Sequence, residues 1–395
     1  MRRLMKIRNW IAAGLAVLIL LPCCALADQP VSWMYSFSAG EVLTGEEMDG
    51  IRDFLDAVQL GLTTENRETR AMGEAVLYSV GKPVFTLRAM NSEEEESFGL
   101  YCSLMGECAL MCRQDQVTDF LMNLVQMLAD LSVLKENNLP QARSLAGRAG
   151  EIITNLTVSA GSEDPAIVLD LGFYLEKISD AVVPAAVDEL DGTDPDCPGA
   201  ARRQVWHLNE EELDALVKEG IGKLKRLPLV SDVFLDGRLK IGGQSVTEDF
   251  LLELFASVHG DTEVTVYTDA EEKILRMRVR IPDISDLVEN PEFGKISGLE
   301  FSVERENGDG ESRSSVTEMR LLGLEQSLIT IHMLRGPGKP VQPLPTSKVF
   351  QVGEMNSEEL WDMIRGLGFT IAGNAINMVM DLPRVVFDTL VERIF

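Results

Sequence analysis

The chain has 395 residues, 45% of them hydrophobic and 25% charged, with a formal net charge of -27. That composition is globular rather than disordered, and the length allows two or three domains. So acidic a surface repels nucleic-acid phosphates and anionic lipid headgroups, which excludes both as favoured partners.

Residues 1–27 have the form of a secretory signal. Arg2, Arg3, Lys6 and Arg8 make a basic start, Trp10 to Leu21 an apolar middle, and Ala25-Leu26-Ala27 a small-x-small cleavage site before Asp28. The plan resembles Gram-positive bacterial signals. Losing those four cations takes the net charge from -27 to -31. The apolar run is short for a span of about 20 residues. Pro22 ahead of Cys23 spoils a lipidation motif. The expectation is an exported bacterial protein, secreted or held in the cell envelope, with no transmembrane span after cleavage.

Export bears on the four remaining cysteines, Cys102, Cys108, Cys112 and Cys197. An even count outside the cell favours disulfides. A hairpin turning near Gly106-Glu107 sets Cys102 opposite Cys112 and leaves Cys108 for Cys197, one of three connectivities. Free, buried thiols are the alternative. A zinc site lacks its usual C-x2-C pair.

Residues 28–190 read as an N-terminal helix, an antiparallel sheet and a helical segment. Thr44-Gly45-Glu46-Glu47 is a capping box. The helix after it carries Met48, Ile51, Phe54, Leu55 and Val58. Strands follow at Gln59 to Thr64, Glu68 to Ser79, Pro83 to Met90, Phe98 to Met105 and Cys108 to Cys112. Glu93 to Glu96 lack the D-x-D-x-D-G spacing of a calcium loop and read as a solvated turn. Phe120, Leu121, Leu124, Val125, Leu128 and Leu131 then keep helical spacing. Gln141 to Ser159 and Ala166 to Val182 predict further helices. Residues 191–200, with Pro195 and Pro198, read as a linker.

Residues 201–345 repeat the plan with a second helix and sheet. Val205 to Leu208 predict a strand, and Asn209-Glu210-Glu211-Glu212 a helix start. Val246-Thr247-Glu248-Asp249 opens another helix. Val264 and Val266 then alternate with polar neighbours. Leu275, Met277, Val279 and Ile281 alternate with Arg276, Arg278 and Arg280, one oily face and one wet. Leu299, Phe301 and Val303, then Met319 and Leu321, then Ile329, Ile331 and Met333 continue the meander. Residues 346–395 supply a strand, Val349 to Val352, a cap at Asn356, and a long amphipathic helix. Leu360, Ile364, Leu367, Ile371, Met378 and Leu382 form its apolar stripe, widened by Phe369, Ile376 and Val379. Its uncharged run, Gly366 to Met380, is too short to cross a bilayer. The stripe is expected to dock as core or to meet a membrane surface or partner.

The three histidines, His207, His259 and His332, have no zinc-protease spacing. G-x-S-x-G and phosphate-loop motifs are absent. No catalytic residue, cofactor or metal ligand is assigned. The expected fold is α+β: two curved antiparallel β-meanders, each preceded by a helix and packed against helices, which suggests an internal duplication. A helix followed by a meander on an exported chain resembles in plan the half-barrel lipid and lipoprotein carriers of bacterial envelopes. That resemblance implies a non-catalytic binding or scaffold protein cradling an apolar ligand or partner helix. The alternatives are a purely structural or interaction module with a self-filled core, and a secreted hydrolase.

Overall fold

A computed structural model of the protein describes residues 29–40, most of 52–131, 171–224, 236–241, 244–249, 260–283, 297–306, 313–323 and 326–382, with scattered positions at 139–147 and 252. The signal-like leader, the helix expected after Thr44, the helix expected over Gln141 to Ser159, His259 and residues 383–395 lie wholly or largely outside these. The protein is mixed α+β, with a large and mostly antiparallel sheet. The chain forms two compact units, one of Tyr35–Asp56 and Pro165–Arg335, the other of Leu20–Met34, Ala57–Asp164 and Gly336–Phe395. Strand β1 (Val31–Ala39) divides between them at Met34.

The second unit holds β2 (Val58–Arg67), β3 (Arg70–Ser79), β4 (Lys82–Ser92), β5 (Ser97–Cys102) and β6 (Cys108–Arg113), each antiparallel to its predecessor. These match the expected strands, except that residues 103–105 form a 3-10 turn. Helix α1 (Val117–Asp130) follows, as the apolar spacing predicts. From the later chain come β16 (Lys348–Gln351), parallel to β6, and helices α4 (Ser357–Gly366) and α5 (Gly368–Met380). Phe98 and Cys112 from the sheet meet Val117, Phe120 and Met127 of α1 and Leu360 of α4 in one core.

The Pro/Gly break at Gly336 to Pro345 lies against this unit. Val341 and Leu344 are buried. The Val341 amide donates 2.9 Å to the buried carboxylate of Glu65, which satisfies a backbone group that strand pairing leaves free. Gly99 makes room for the strap, since a β-carbon there would lie 2.3 Å from Leu344 Cδ1.

The first unit holds helix α2 (Leu171–Ala181), β7 (Ala186–Glu189), β8 (Arg202–Leu208) and helix α3 (Glu210–Leu224). A two-stranded ribbon, β9 (Asp236–Ile241) with β10 (Gln244–Thr247), comes next. The meander β11 (Thr262–Thr268), β12 (Ile274–Ile281), β13 (Gly298–Glu306), β14 (Arg313–Leu322) and β15 (Gln326–Pro337) completes it. Within the unit the sheet order is β15-β14-β13-β12-β11-β8-β7. One face buries Trp206, Leu208, Val264, Val266 and Met277 against Ile178 of α2, with Leu216 of α3 alongside.

Within the β11–β15 meander strict alternation fails at two bulges among the described residues. Tyr267 pairs with Arg276 but Thr268 pairs with Ile274, so Leu275 is an extra residue. The bulge turns Leu275 away from Met277, and it packs with Tyr267, Cys197 and Ala200 on the opposite face. Likewise Met319 pairs with Ile329 and Arg320 with Ser327, which leaves Leu328 unpaired and buried beside Ile329. Residues 191–200, expected as a linker, instead connect the β7–β8 hairpin and fold onto the sheet. Cys197 is 2% exposed and Ala200 fully buried. Gly192 and Gly199 turn the chain with φ of 82° and 88°, which favours glycine.

Candidate functional site

Two features offer themselves, one in each unit. In the first unit the arginine face of the meander carries a row of polar side chains across five strands, charged on four of them. His207 of β8 stands opposite Glu263 of β11, Glu263 opposite Arg280, Arg280 opposite Glu300 and Glu300 opposite Arg320. Opposite charges at directly paired positions attract, so the alternation of sign also fixes the strand register. Behind it run Asp188, Arg203, Tyr267, Arg276 and Glu304 in the same cross-strand sense. Asp188 accepts 3.0 Å and 2.7 Å hydrogen bonds from Arg203. Arg276 meets Glu304 at 3.8 Å.

This face is less wet than the alternation predicts. Thr265 is 1% exposed, Ser302 4% and Glu300 7%. The β7–β8 connection covers one end of it. Arg276 donates to the carbonyl of Asp196, and Tyr267 donates to the Asp196 carboxylate at 3.5 Å. His332 stays exposed, as expected of its face. At the other end a cleft of about 250 Å³ is lined by His207, Asp261, Glu263, Arg280, Pro282, Ser297 and Leu322.

The chemistry available here is charge pairing. Burial pushes the Cys197 thiol up to about 11, with Glu304 adding to the shift and Arg276 opposing it. Tyr267 is raised by burial first, then by Asp196, against the pull of Arg278. A thiol kept protonated at neutral pH is a poor nucleophile. Among the described residues no group of three or more histidine, cysteine or acidic side chains could hold a metal ion.

The second feature is helix α5, which sequence reasoning named as part of one stripe. Its predecessor α4 begins at a full capping box: Asn356 accepts from the amides of Glu358 and Glu359 at 3.0 Å, and Glu359 accepts from the Asn356 amide at 2.9 Å. Leu360, Leu367 and Leu382 of the stripe are buried, and Ile364, Ile371 and Met378 half-buried. That is the docked side. Helix α5 is seated by polar contacts, Asn374 donating to the carbonyls of Ser103 and Leu104 at 3.4 and 3.1 Å. Two of the residues that widened the stripe face away: Phe369 is 98% exposed and Ile376 60%, with Met380 at 75%. Hydropathy alone marks the helix as apolar. With Asn374 seated on that turn, Phe369, Ile376 and Met380 are left outside. No helix of the described residues is long and apolar enough to cross a membrane.

All four thiols are free. Cys112 stands opposite Phe98, not Cys102. Cys197 lies in the first unit's core with Tyr267 and Leu275. Burial pushes Cys112 up to about 11, Asp115 adding to it, and burial also raises Cys102 against two backbone hydrogen bonds.

No family model and no curated protein matches the chain. Among solved structures, a conserved protein of unknown function with a hot dog fold from Alicyclobacillus acidocaldarius aligns at 7% identity over 80% of this chain and 81% of its own. The TM-score of 0.10 carries no argument about fold or function.

Proposed function

We propose that the protein is an exported, non-catalytic binding or scaffold protein of the bacterial cell envelope, and that it engages an apolar partner through helix α5. The observation that carries this is the uncovered face of that helix, with Phe369 98% exposed beside Ile376 and Met380. Covering a large apolar side chain is worth about 1.5–3 kcal/mol, so three on one short helix favour an occupant. The 13 residues of α5 extend about 20 Å, a length that lies along a partner and does not span a bilayer. Export rests on the basic, apolar and small-x-small order of residues 1–27.

The notion of a sheet that cradles the ligand has less support than the helix. In the first unit α2 and α3 already lie against the oily face, and in the second α1 and α4 do. Those filled faces favour a second reading, a structural module with a self-filled core, which differs in leaving α5 without a partner. Curved meanders and an internal duplication extend the proposal. In support of the duplication, each unit has, among the described residues, a strand followed by an asparagine-capped helix. Asn209 accepts from Glu211 and Glu212 as Asn356 does from Glu358 and Glu359.

The test compares the mature protein, from Asp28, with the double variant Phe369→Asp, Ile376→Asp. The wild type should associate with itself in sedimentation, with phosphatidylcholine vesicles, or with lipid seen in the mass spectrum of a denatured sample. The variant should do none of these at an unchanged melting temperature. A wild type that stays monomeric, vesicle-free and lipid-free would leave the self-filled module standing.

A further inference from the structure

We propose that Cys102 and Cys108 are disulfide partners, and that their bond staples the turn on which helix α5 rests. The argument begins with register. Ser97 pairs with Arg113, Phe98 with Cys112, Leu100 with Leu110 and Tyr101 with Ala109. One further step sets Cys102 opposite Cys108. Cys102 keeps an extended backbone, φ -132° and ψ 131°, so the alternation of faces still holds there. Both cysteines therefore point to the side of Leu100 and Leu110, which pack against the core that includes Phe98 and Cys112. Directly opposed residues of an antiparallel pair have α-carbons about 4.5–5.5 Å apart, inside the range of about 4.4–6.8 Å that a disulfide spans.

The same register removes the other pairings within this sheet. Cys112 is four residues along β6 from Cys108, about 13 Å at strand rise, and its position opposite Phe98 puts it equally far from Cys102. Cys197 is enclosed in the first unit among Tyr267, Leu275 and Ala200. One disulfide and two free thiols are the result.

The bond would close a short loop, Ser103 to Glu107, that already carries several roles. Ser103 accepts from the Thr86 amide at 3.0 Å, Gly106 turns the chain with φ of 69°, and Ser347 donates to the Glu107 carbonyl at 2.7 Å. The carbonyls of Ser103 and Leu104 receive Asn374 of α5. A cross-link at the base of this loop holds those acceptors in place. The oxidant is a small or protein disulfide of the compartment that receives the exported chain. The thiolate of Cys102, the more exposed of the two, attacks it, forms a mixed disulfide and releases one thiolate. Cys108 then attacks the Cys102 sulfur and releases the second. The two protein thiols give up two electrons and two protons, and the oxidant leaves as two thiols.

The pairing is independent of whether α5 meets a partner, and oxidation in vitro tests it without assuming export. The full mature protein is reduced, exchanged into oxidised glutathione, denatured, alkylated and cleaved after glutamate. Glu107 lies between the two cysteines, so the cut separates them. The expected product is a cross-linked pair of peptides joined through Cys102 and Cys108, with Cys112 and Cys197 alkylated. The oxidised protein should also melt several degrees above the reduced one, and Cys102→Ser or Cys108→Ser alone should abolish that difference. Alkylation of all four thiols after oxidation, or a cross-link to Cys112 or Cys197, would overturn the assignment, and both are read on the wild type alone.

Discussion

Substituting Met277→Asp should abolish the cooperative melt of the first unit. Met277 is 8% exposed and packs with Ile178, Trp206, Val264 and Val266. Truncating a buried methionine costs about 2–5 kcal/mol through lost transfer and the cavity left behind. A carboxylate at the same place has no partner in that cluster and adds several kcal/mol more. The sum reaches the range of about 5–15 kcal/mol that a whole domain has to lose. The neighbour on the other face is the control. The Nε of Arg278 is buried with no hydrogen-bond partner. Arg278→Met removes that desolvated donor and keeps the stem, so it should change stability by less than about 1 kcal/mol or raise it. Calorimetry of the purified protein reads both. Equal losses for the two variants would mean that the faces of β12 are exchanged, a register error of one residue.

Gly373 has open space where a β-carbon would go, so Gly373→Ala should raise stability by about 1 kcal/mol. Gly99→Ala should lower it by about 1–3 kcal/mol, because Leu344 and Met111 must shift; a denaturant titration of each variant decides the sign. The caps should be equivalent: Asn209→Ala and Asn356→Ala each remove two accepted amide hydrogen bonds and should each cost about 1 kcal/mol by the same titration. Cys112 and Cys197 ionise near 11 in the folded protein against an ordinary 9.0. Because folding raises these values, their contribution is whole below about pH 9 and is lost as pH climbs through about 11. Melting temperature should therefore fall over that window, and less steeply in the double variant Cys112→Ala, Cys197→Ala; parallel curves would refute the burial of the thiols.

Local signals were legible because they need only neighbours in the chain. Period-two runs placed β11 to β15, and the spacing of Phe120, Leu124 and Leu128 placed α1. An asparagine followed three residues later by glutamate marked both α3 and α4, since a capping box is complete within four residues. The bulges at Leu275 and Leu328 were not legible. An extra residue is defined only by what the partner strand offers opposite it, and hydropathy reads the same either way. The cysteine register failed for a related reason. The turn residues Gly106 and Glu107 locate a hairpin, but the length of its loop sets the register, and the structure puts Cys112 opposite Phe98, four residues along β5 from Cys102.

What the amino-acid sequence determined by itself is the α+β character, the positions of most elements, and the apolar excess of the C-terminal helices. Each follows from periodicities of 2.0 and 3.6 that a single chain carries. What tertiary structure decided is which apolar surface is spent. Leu360 goes into the core while Phe369, on the same expected stripe region, stays in water, because α5 is seated through Asn374 on the carbonyls of a turn some 270 residues earlier. It also decided that the 191–200 connection buries Cys197 and Ala200 against the sheet, since proline and glycine mark a turn without saying what it covers. Burial is a relation between distant segments, and no local pattern contains it.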